Sequence, residues 1–145
     1  MPPTGFWRDE RHIFPVRVYY EDTDTAGVVY YANYLRLIER ARMECLRLLA
    51  PEVLAQMDAA GLVLAVRRCV IDYLSPARLH DALHVVTCVQ EVGGASFSLH
   101  QMVRREETDL ADAKIRLVCM KLASGAPARL PNSLRQALQM RAEQL

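Results

Sequence analysis

No apolar run in this sequence approaches the ~20 residues that a membrane-spanning helix requires, so a bilayer-spanning chain is not expected. The first ten residues lack a basic cluster followed by an apolar core, and they do not read as a secretory signal. The four cysteines, Cys45, Cys69, Cys88 and Cys119, never form a CxxC pair. Without metal spacing or a signal they read as reduced, small core residues of a cytosolic protein. Charge of one sign is missing too: a formal net charge of +1 exerts no pull toward nucleic acid or a membrane surface. Aromatic residues make up only 7% and no basic run is interleaved with them, so nucleic-acid binding is unsupported. His80, His84 and His100 lack ligand spacing and read as strand or turn residues, and neither a metal nor a redox cofactor is expected. There is no internal repeat and no low-complexity linker.

What is present suits one domain spanning residues 1–145, with 52% hydrophobic residues to build a core. Residues 15–20 alternate and are β-rich, which predicts a first strand. His12-Ile13-Phe14-Pro15 reads as a lead-in to it. After a loop over 21–29, residues 31–49 follow a helical period. Tyr34, Leu37, Ile38, Ala41, Cys45, Leu48 and Leu49 share one sector, with Arg36, Glu39, Arg40, Glu44 and Arg47 opposite. Arg42 falls inside the apolar sector. A buried guanidinium needs a carboxylate, so an ion pair with Asp72 or with an acid across a subunit interface is expected, the alternative being a snorkelling side chain. A short helix over 51–60 ends at Gly61. Strands follow over 62–74, 83–92, from Phe97 to Arg104, and over 110–122, and a helix is expected over 131–143. The class is α+β: a five-stranded antiparallel sheet and one long helix. One helix leaves such a sheet with open edges, which predicts an oligomer.

The chemistry-bearing text is the loop Tyr20-Glu21-Asp22-Thr23-Asp24-Thr25-Ala26-Gly27. It sets a carboxylate between a strand end and a long helix, whose first backbone N–H groups are unpaired and electropositive. Such a helix start can polarise a carbonyl and hold the oxyanion formed on attack. Gly27 permits a tight turn. On local grounds alone, Asp22 and Asp24 could equally be turn or capping residues.

The longer text carries a resemblance. Val16-Arg17-Val18-Tyr19-Tyr20-Glu21-Asp22-Thr23-Asp24, Ala26-Gly27-Val28-Val29-Tyr30 and Glu39-Arg40-Ala41-Arg42 resemble the hotdog-fold thioesterases of the 4-hydroxybenzoyl-CoA thioesterase type. Within them, Ile71-Asp72-Tyr73-Leu74-Ser75-Pro76-Ala77-Arg78-Leu79 and Pro127-Ala128-Arg129-Leu130-Pro131 are similar to the YbgC branch, the Tol-Pal-associated acyl-CoA thioesterases. The likeness spans residues 14–138. It implies a hotdog fold, a sheet wrapped around one long helix, assembled as a homodimer or homotetramer with sites between subunits. It implies hydrolysis of short- to medium-chain acyl-CoA in the cytoplasm. Asp24 would be the catalytic carboxylate, and the backbone N–H of Tyr31 the oxyanion donor. Gly27, Val28, Val29, Tyr30, Asn33 and Arg78 would contact substrate.

Two positions depart from that pattern. Many members of the branch carry histidine where Tyr31 stands, and a phenol is no base near neutral pH without a large shift. Some relatives place basic residues after the third strand, near the nucleotide phosphates. Here the text is Gly93-Gly94-Ala95, which leaves phosphate contacts to Arg104, Arg105 or Arg78. Asp24 could attack the thioester carbonyl and form an anhydride, or deprotonate a water. The positive helix start favours the anion and, slightly, the nucleophilic route. Glu39 reads as a salt-bridge or supporting residue, and Asp72 and Arg78 as a structural pair or interface residues. A competing reading is a binding module that holds an acyl carrier protein or envelope-assembly partners with little turnover. A dehydratase lacks its histidine motif here.

Overall fold

The structure is a computed structural model describing residues 3–142. In chain order the elements are β1 (Phe6–Arg8), β2 (Arg11–Arg17), a 3-10 turn (Tyr20–Asp22), α1 (Tyr31–Leu49), α2 (Val53–Ala59), β3 (Leu62–Tyr73), β4 (Ala82–Val92), β5 (Ser96–Arg105), β6 (Thr108–Lys121) and α3 (Asn132–Arg141). The strands form one antiparallel sheet of six in the order β1-β2-β4-β5-β6-β3, one strand more than expected. The extra strand is β1, three residues paired to the start of β2 through Phe6↔Ile13 and Arg8↔Arg11. The first long strand therefore begins before Pro15, and His12 to Pro15 lie inside it. It also ends early. Tyr20 turns into the 3-10 segment because the Asp22 carboxylate accepts the Tyr19 N–H at 2.9 Å. The last helix ends at Arg141, and Glu143 lies outside the described residues.

α1 matches its expected bounds and lies across one face of the sheet. Tyr34, Leu37, Ile38 and Ala41 are buried, packed with Val85, Val89, Phe97, Leu99, Ile115 and Leu117 in one core, and Cys45 is buried as well. Leu46, on the helix flank, is buried in the same cluster as Val53 and Met57 of α2, while Leu48 is only half-buried. Burial pushes the Cys45 thiol up to about 12. Cys69 departs from expectation and is exposed. It pairs with buried Ile115, but on an edge strand most of whose residues are exposed.

A polar row runs through this core. His12, Thr87 and Gln101 are each fully buried and occupy successive register positions on β2, β4 and β5. Gln101 Nε2 donates to the Ile38 carbonyl at 3.0 Å and to Thr87 Oγ1 at 2.9 Å. Its Oε1 accepts from Arg42 Nη1 at 3.3 Å. His12 Nε2 meets the Thr4 carbonyl at 2.8 Å, and burial lowers its pKa against the opposing pull of that carbonyl and of Glu44. The expected Arg42–Asp72 ion pair is absent among the described residues: Asp72 is exposed and the half-buried guanidinium bonds a neutral amide. A neutral partner makes Arg42 cheaper to lose. Arg42→Met is expected to cost about 1 kcal/mol rather than the 3–5 kcal/mol of a broken buried pair. A urea double-mutant cycle with Asp72→Asn should give a coupling energy near zero, and a coupling above about 1 kcal/mol would restore the ion pair.

Candidate active site

The loop after the 3-10 turn closes on itself. Asp24 N–H donates to the Val28 carbonyl at 2.9 Å, and Gly27 N–H donates back to the Asp24 carbonyl at 3.1 Å. Gly27 takes φ +79, a left-handed conformation that a side chain would strain. The Asp24 side chain is held by its own loop: Oδ1 accepts from Ala26 N at 2.8 Å and from Val28 N at 3.4 Å. Asp24 is exposed, and Oδ2 has no bond among the described residues. Asp22 does different work, with its carboxylate on Tyr19 N and its carbonyl accepting from Tyr30 N at 3.1 Å and Asn33 Nδ2 at 2.9 Å. Asn33 thus ties the loop to the first turn of α1.

A second segment, residues 75–81, fastens this loop from the other side. Val29 N donates to the Ala77 carbonyl at 2.8 Å, Leu79 N donates to the Gly27 carbonyl at 3.0 Å, and Val28 bridges Arg78. Tyr34, from the second turn of α1, accepts the Ala77 N–H on its hydroxyl at 2.9 Å, fully inside the protein. Read as an apolar-sector residue from the sequence, Tyr34 thus also pins the segment that carries Arg78. The signal was available in its phenol, because a buried tyrosine needs a hydrogen-bond partner.

At the start of α1, Tyr30 caps the helix without a side-chain bond. The backbone N–H groups of Tyr31 and Ala32 make no hydrogen bond among the described residues. They are open donors at the positive end of a 19-residue helix. Beside them lies a cleft of about 260 Å3 lined by Val29, Tyr31, Tyr34, Tyr73, Leu74 and Ser75, among others. Its rings sit edge to face, Tyr31 on Tyr73 at 6.1 Å and Tyr34 on Tyr73 at 5.5 Å between centroids. Tyr30 packs on Tyr31 at 4.8 Å, and the hydrogen bond its hydroxyl donates to the Tyr31 phenol raises its pKa; burial raises that of Tyr73. These two phenols stay protonated at neutral pH. A carboxylate together with open helix N–H donors is the equipment for acyl transfer at a carbonyl.

The structure separates the three arginines considered for phosphate. Arg104 is bound to Asp109 at 2.8 Å and Arg105 to Asp81 at 2.8 Å. Arg78 alone stands at the loop with an exposed guanidinium that makes no hydrogen bond among the described residues. His100 pairs with Asp112 at 2.9 Å on the opposite face of the sheet, and His80 orders the 75–81 segment by accepting Arg17 Nη1 on its carbonyl. Among the described residues no His, Cys, Asp or Glu cluster could hold a metal, and no helix is long and apolar enough to cross a membrane. A second, larger cleft of about 390 Å3 opens between α1, α2 and β3, walled by Met43, Leu46, Leu54, Met57 and Leu64 with Glu39 and Arg42 on its lining.

Residues 18–138 match the sequence profile of the Thioesterase-like superfamily. The chain is similar to the acyl-CoA thioesterase YbgC of Haemophilus influenzae, at 40% identity over 129 residues, covering 89% of this chain and 95% of that protein. The acyl-CoA thioester hydrolase YbgC of Escherichia coli O157:H7 is 41% identical over 122 residues, covering 83% and 90%. Among solved structures, a probable thioesterase from Bartonella henselae superposes with a TM-score of 0.74 at 36% identity, covering 83% of this chain and 98% of that one. The dynemicin thioesterase superposes with a TM-score of 0.85 at 26% identity, covering 93% and 99%.

Because the Tyr34 hydroxyl is the partner of a buried backbone N–H, Tyr34→Phe strands that donor. The expected loss is about 1–3 kcal/mol of stability, read from the urea midpoint. An unchanged midpoint would mean that this bond does not hold the 75–81 segment.

Proposed function

The chain belongs to the thioesterase-like superfamily of hotdog-fold thioester hydrolases, and from that premise we propose that it cleaves acyl-coenzyme A to free acid and coenzyme A with Asp24 as the reacting carboxylate. One observation carries the reading. Asp24 is locked by its own loop amides, in the loop that leads into a helix whose Tyr31 and Ala32 N–H groups are unused. The thioester carbonyl accepts from Tyr31 N–H, and negative charge growing on its oxygen in the transition state strengthens that bond. Each such donor is worth about 3 kcal/mol. Oδ2 of Asp24 is the free oxygen, directed to attack the carbonyl carbon and form an anhydride, or to take a proton from water. Expulsion of the thiolate of coenzyme A completes the first route, and hydrolysis of the anhydride returns the carboxylate.

Gly27, Val28, Val29 and Tyr30 shape the wall along which substrate enters, and Asn33 keeps that wall attached to α1. The acyl group occupies the tyrosine-lined cleft of about 260 Å3, a volume suited to short and medium chains. The buried thiols Cys45, Cys88 and Cys119 suit a cytoplasmic setting. Tol-Pal association and an acyl carrier protein partner rest on the resemblance alone.

The site is shared between copies of a homodimer, with pairing into a tetramer as the further step. Twelve-residue β3 is a sheet edge and its residues are mostly exposed, with Val66 at 48% and Val70 at 45%. A long, exposed, apolar edge of this kind pairs with another strand or aggregates. Light scattering at micromolar concentration should give a mass of at least twice 16.4 kDa, and the monomer mass would contradict a shared site.

Asp24→Asn is expected to lower kcat at least ~100-fold with thermal stability retained. Asp22→Asn, which touches only the loop backbone, should do much less to kcat. Near-normal thiol release by folded Asp24→Asn would end the assignment.

A further inference from the structure

The two clefts share a wall. Directly paired residues of antiparallel strands point to the same side of a sheet. Val66, Cys69 and Tyr73 of β3 pair with Leu117, Ile115 and Ala111 of β6, all three of which are buried in the core under α1. The irregularity between Val66 and Arg68 keeps this side in phase along the strand, since a three-residue step would otherwise reverse it. One side of β3 therefore looks toward α1 over the whole length of the strand.

At one end of that side, Val66 and Leu64 share the cleft of about 390 Å3 with Met43 and Leu46 of α1. At the other end, Tyr73 shares the cleft of about 260 Å3 with Tyr31 and Tyr34, beside the open N–H groups of Tyr31 and Ala32. Val66 and Tyr73 lie about 23 Å apart along the strand. Between them, exposed Cys69 and half-buried Ile71 carry the same side onward. The walls of both clefts are largely apolar, and they follow one line between β3 and α1.

Tyr73 stands across that line at the helix start. Its ring meets Tyr31 edge to face at 6.1 Å and Tyr34 at 5.5 Å, so one strand residue spans the gap to two residues of α1. Its backbone is fixed as well. The next two N–H groups, of Leu74 and Ser75, both donate to the Leu110 carbonyl, at 2.8 and 3.2 Å. We propose that Tyr73 sets the acyl-length limit of the enzyme: its ring stops the acyl chain of a bound thioester in the smaller cleft and keeps it out of the apolar line that leads to the larger one. This rests on the thioesterase reading and names the residue that would make it selective for shorter chains.

The test follows thiol release from straight-chain acyl-coenzyme A substrates, butyryl to lauroyl. Each methylene that finds an apolar wall raises kcat/KM about fourfold. Tyr73→Ala should raise the lauroyl-to-butyryl ratio of kcat/KM by about tenfold or more, the scale of roughly two methylenes newly buried. Tyr73→Phe keeps the ring and should keep the wild-type ratio. Tyr73→Leu, with a smaller stopper, should move the ratio in the same direction by less, and it carries the test if Tyr73→Ala does not fold. A ring that served only to brace Tyr31 would lower kcat/KM by one factor for every chain. An unmoved ratio in the folded alanine or leucine variant would therefore overturn the proposal. So would a phenylalanine variant that shifts the ratio as far as alanine does. Wild-type protein that releases thiol from none of these substrates would sink the thioesterase reading itself, whereas turnover with an unmoved ratio would sink only the role of Tyr73.

Discussion

A single helix cannot cover this sheet. Six strands spaced about 4.8 Å apart are roughly 24 Å wide, while a helix with its side chains is about 10 Å across. α1 settles over β2, β4 and β5, where the register brings Phe14, Val85 and Val103 into one row beneath it. β3, at the far edge, is covered only in part: α2 packs along it and Tyr31 and Tyr34 meet Tyr73 at its end, while its middle stays exposed. Val66 is 48% exposed although its register partner Leu117 is 2% exposed. Both clefts lie along this uncovered strip, one at each end of β3. The binding space and the unpaired edge are thus two results of the same shortage of cover.

α1 also fixes where chemistry can happen. Its middle is committed to the core, and the Ile38 carbonyl is drawn further into it by Gln101. Its first turn projects past the core, uncapped, so the open N–H groups of P-free text at Tyr31 and Ala32 remain available. A carboxylate beside them would sway if its loop were free. The loop is instead stitched to α1 through Asp22 and Asn33 and to the 75–81 segment through Gly27 and Val29. Tyr34 closes the circuit by joining that segment back to α1. Positioning of Asp24 therefore comes from hydrogen bonds spread over three segments of the chain.

Long periodic elements were legible in the sequence because each answers to one buried face. The period over 31–49 matches α1, and the strand from Phe97 to Arg104 matches β5 within a residue at each end. The misreadings have local causes. β1 is three residues long and shows no period. Pro15 looked like a strand boundary, but β1 stops opposite Ile13, so position 15 has an open flank that needs no N–H. Gln101 occupies a core-facing register between Leu99 and Val103, yet its polarity hid it until Thr87 and Ile38 appeared as partners. Arg42 invited a carboxylate on electrostatic grounds, and the fold answered with that same glutamine. For the site, the loop text pointed to Asp24 and the helix start, whereas the 75–81 clasp depends on contacts more than forty positions apart, |i−j| being 43 for Tyr34 and Ala77.

The glycine turn marks the limit of reading by position. At Gly93-Gly94 the chain itself holds no charge. In space, the absence of side chains is what admits Arg129 and lets Arg135 reach the Gly93 carbonyl, since any side chain longer than a methyl at Gly94 would compete for the same volume. Small residues in the turn and arginines in the distant segment are then one arrangement, not two independent features.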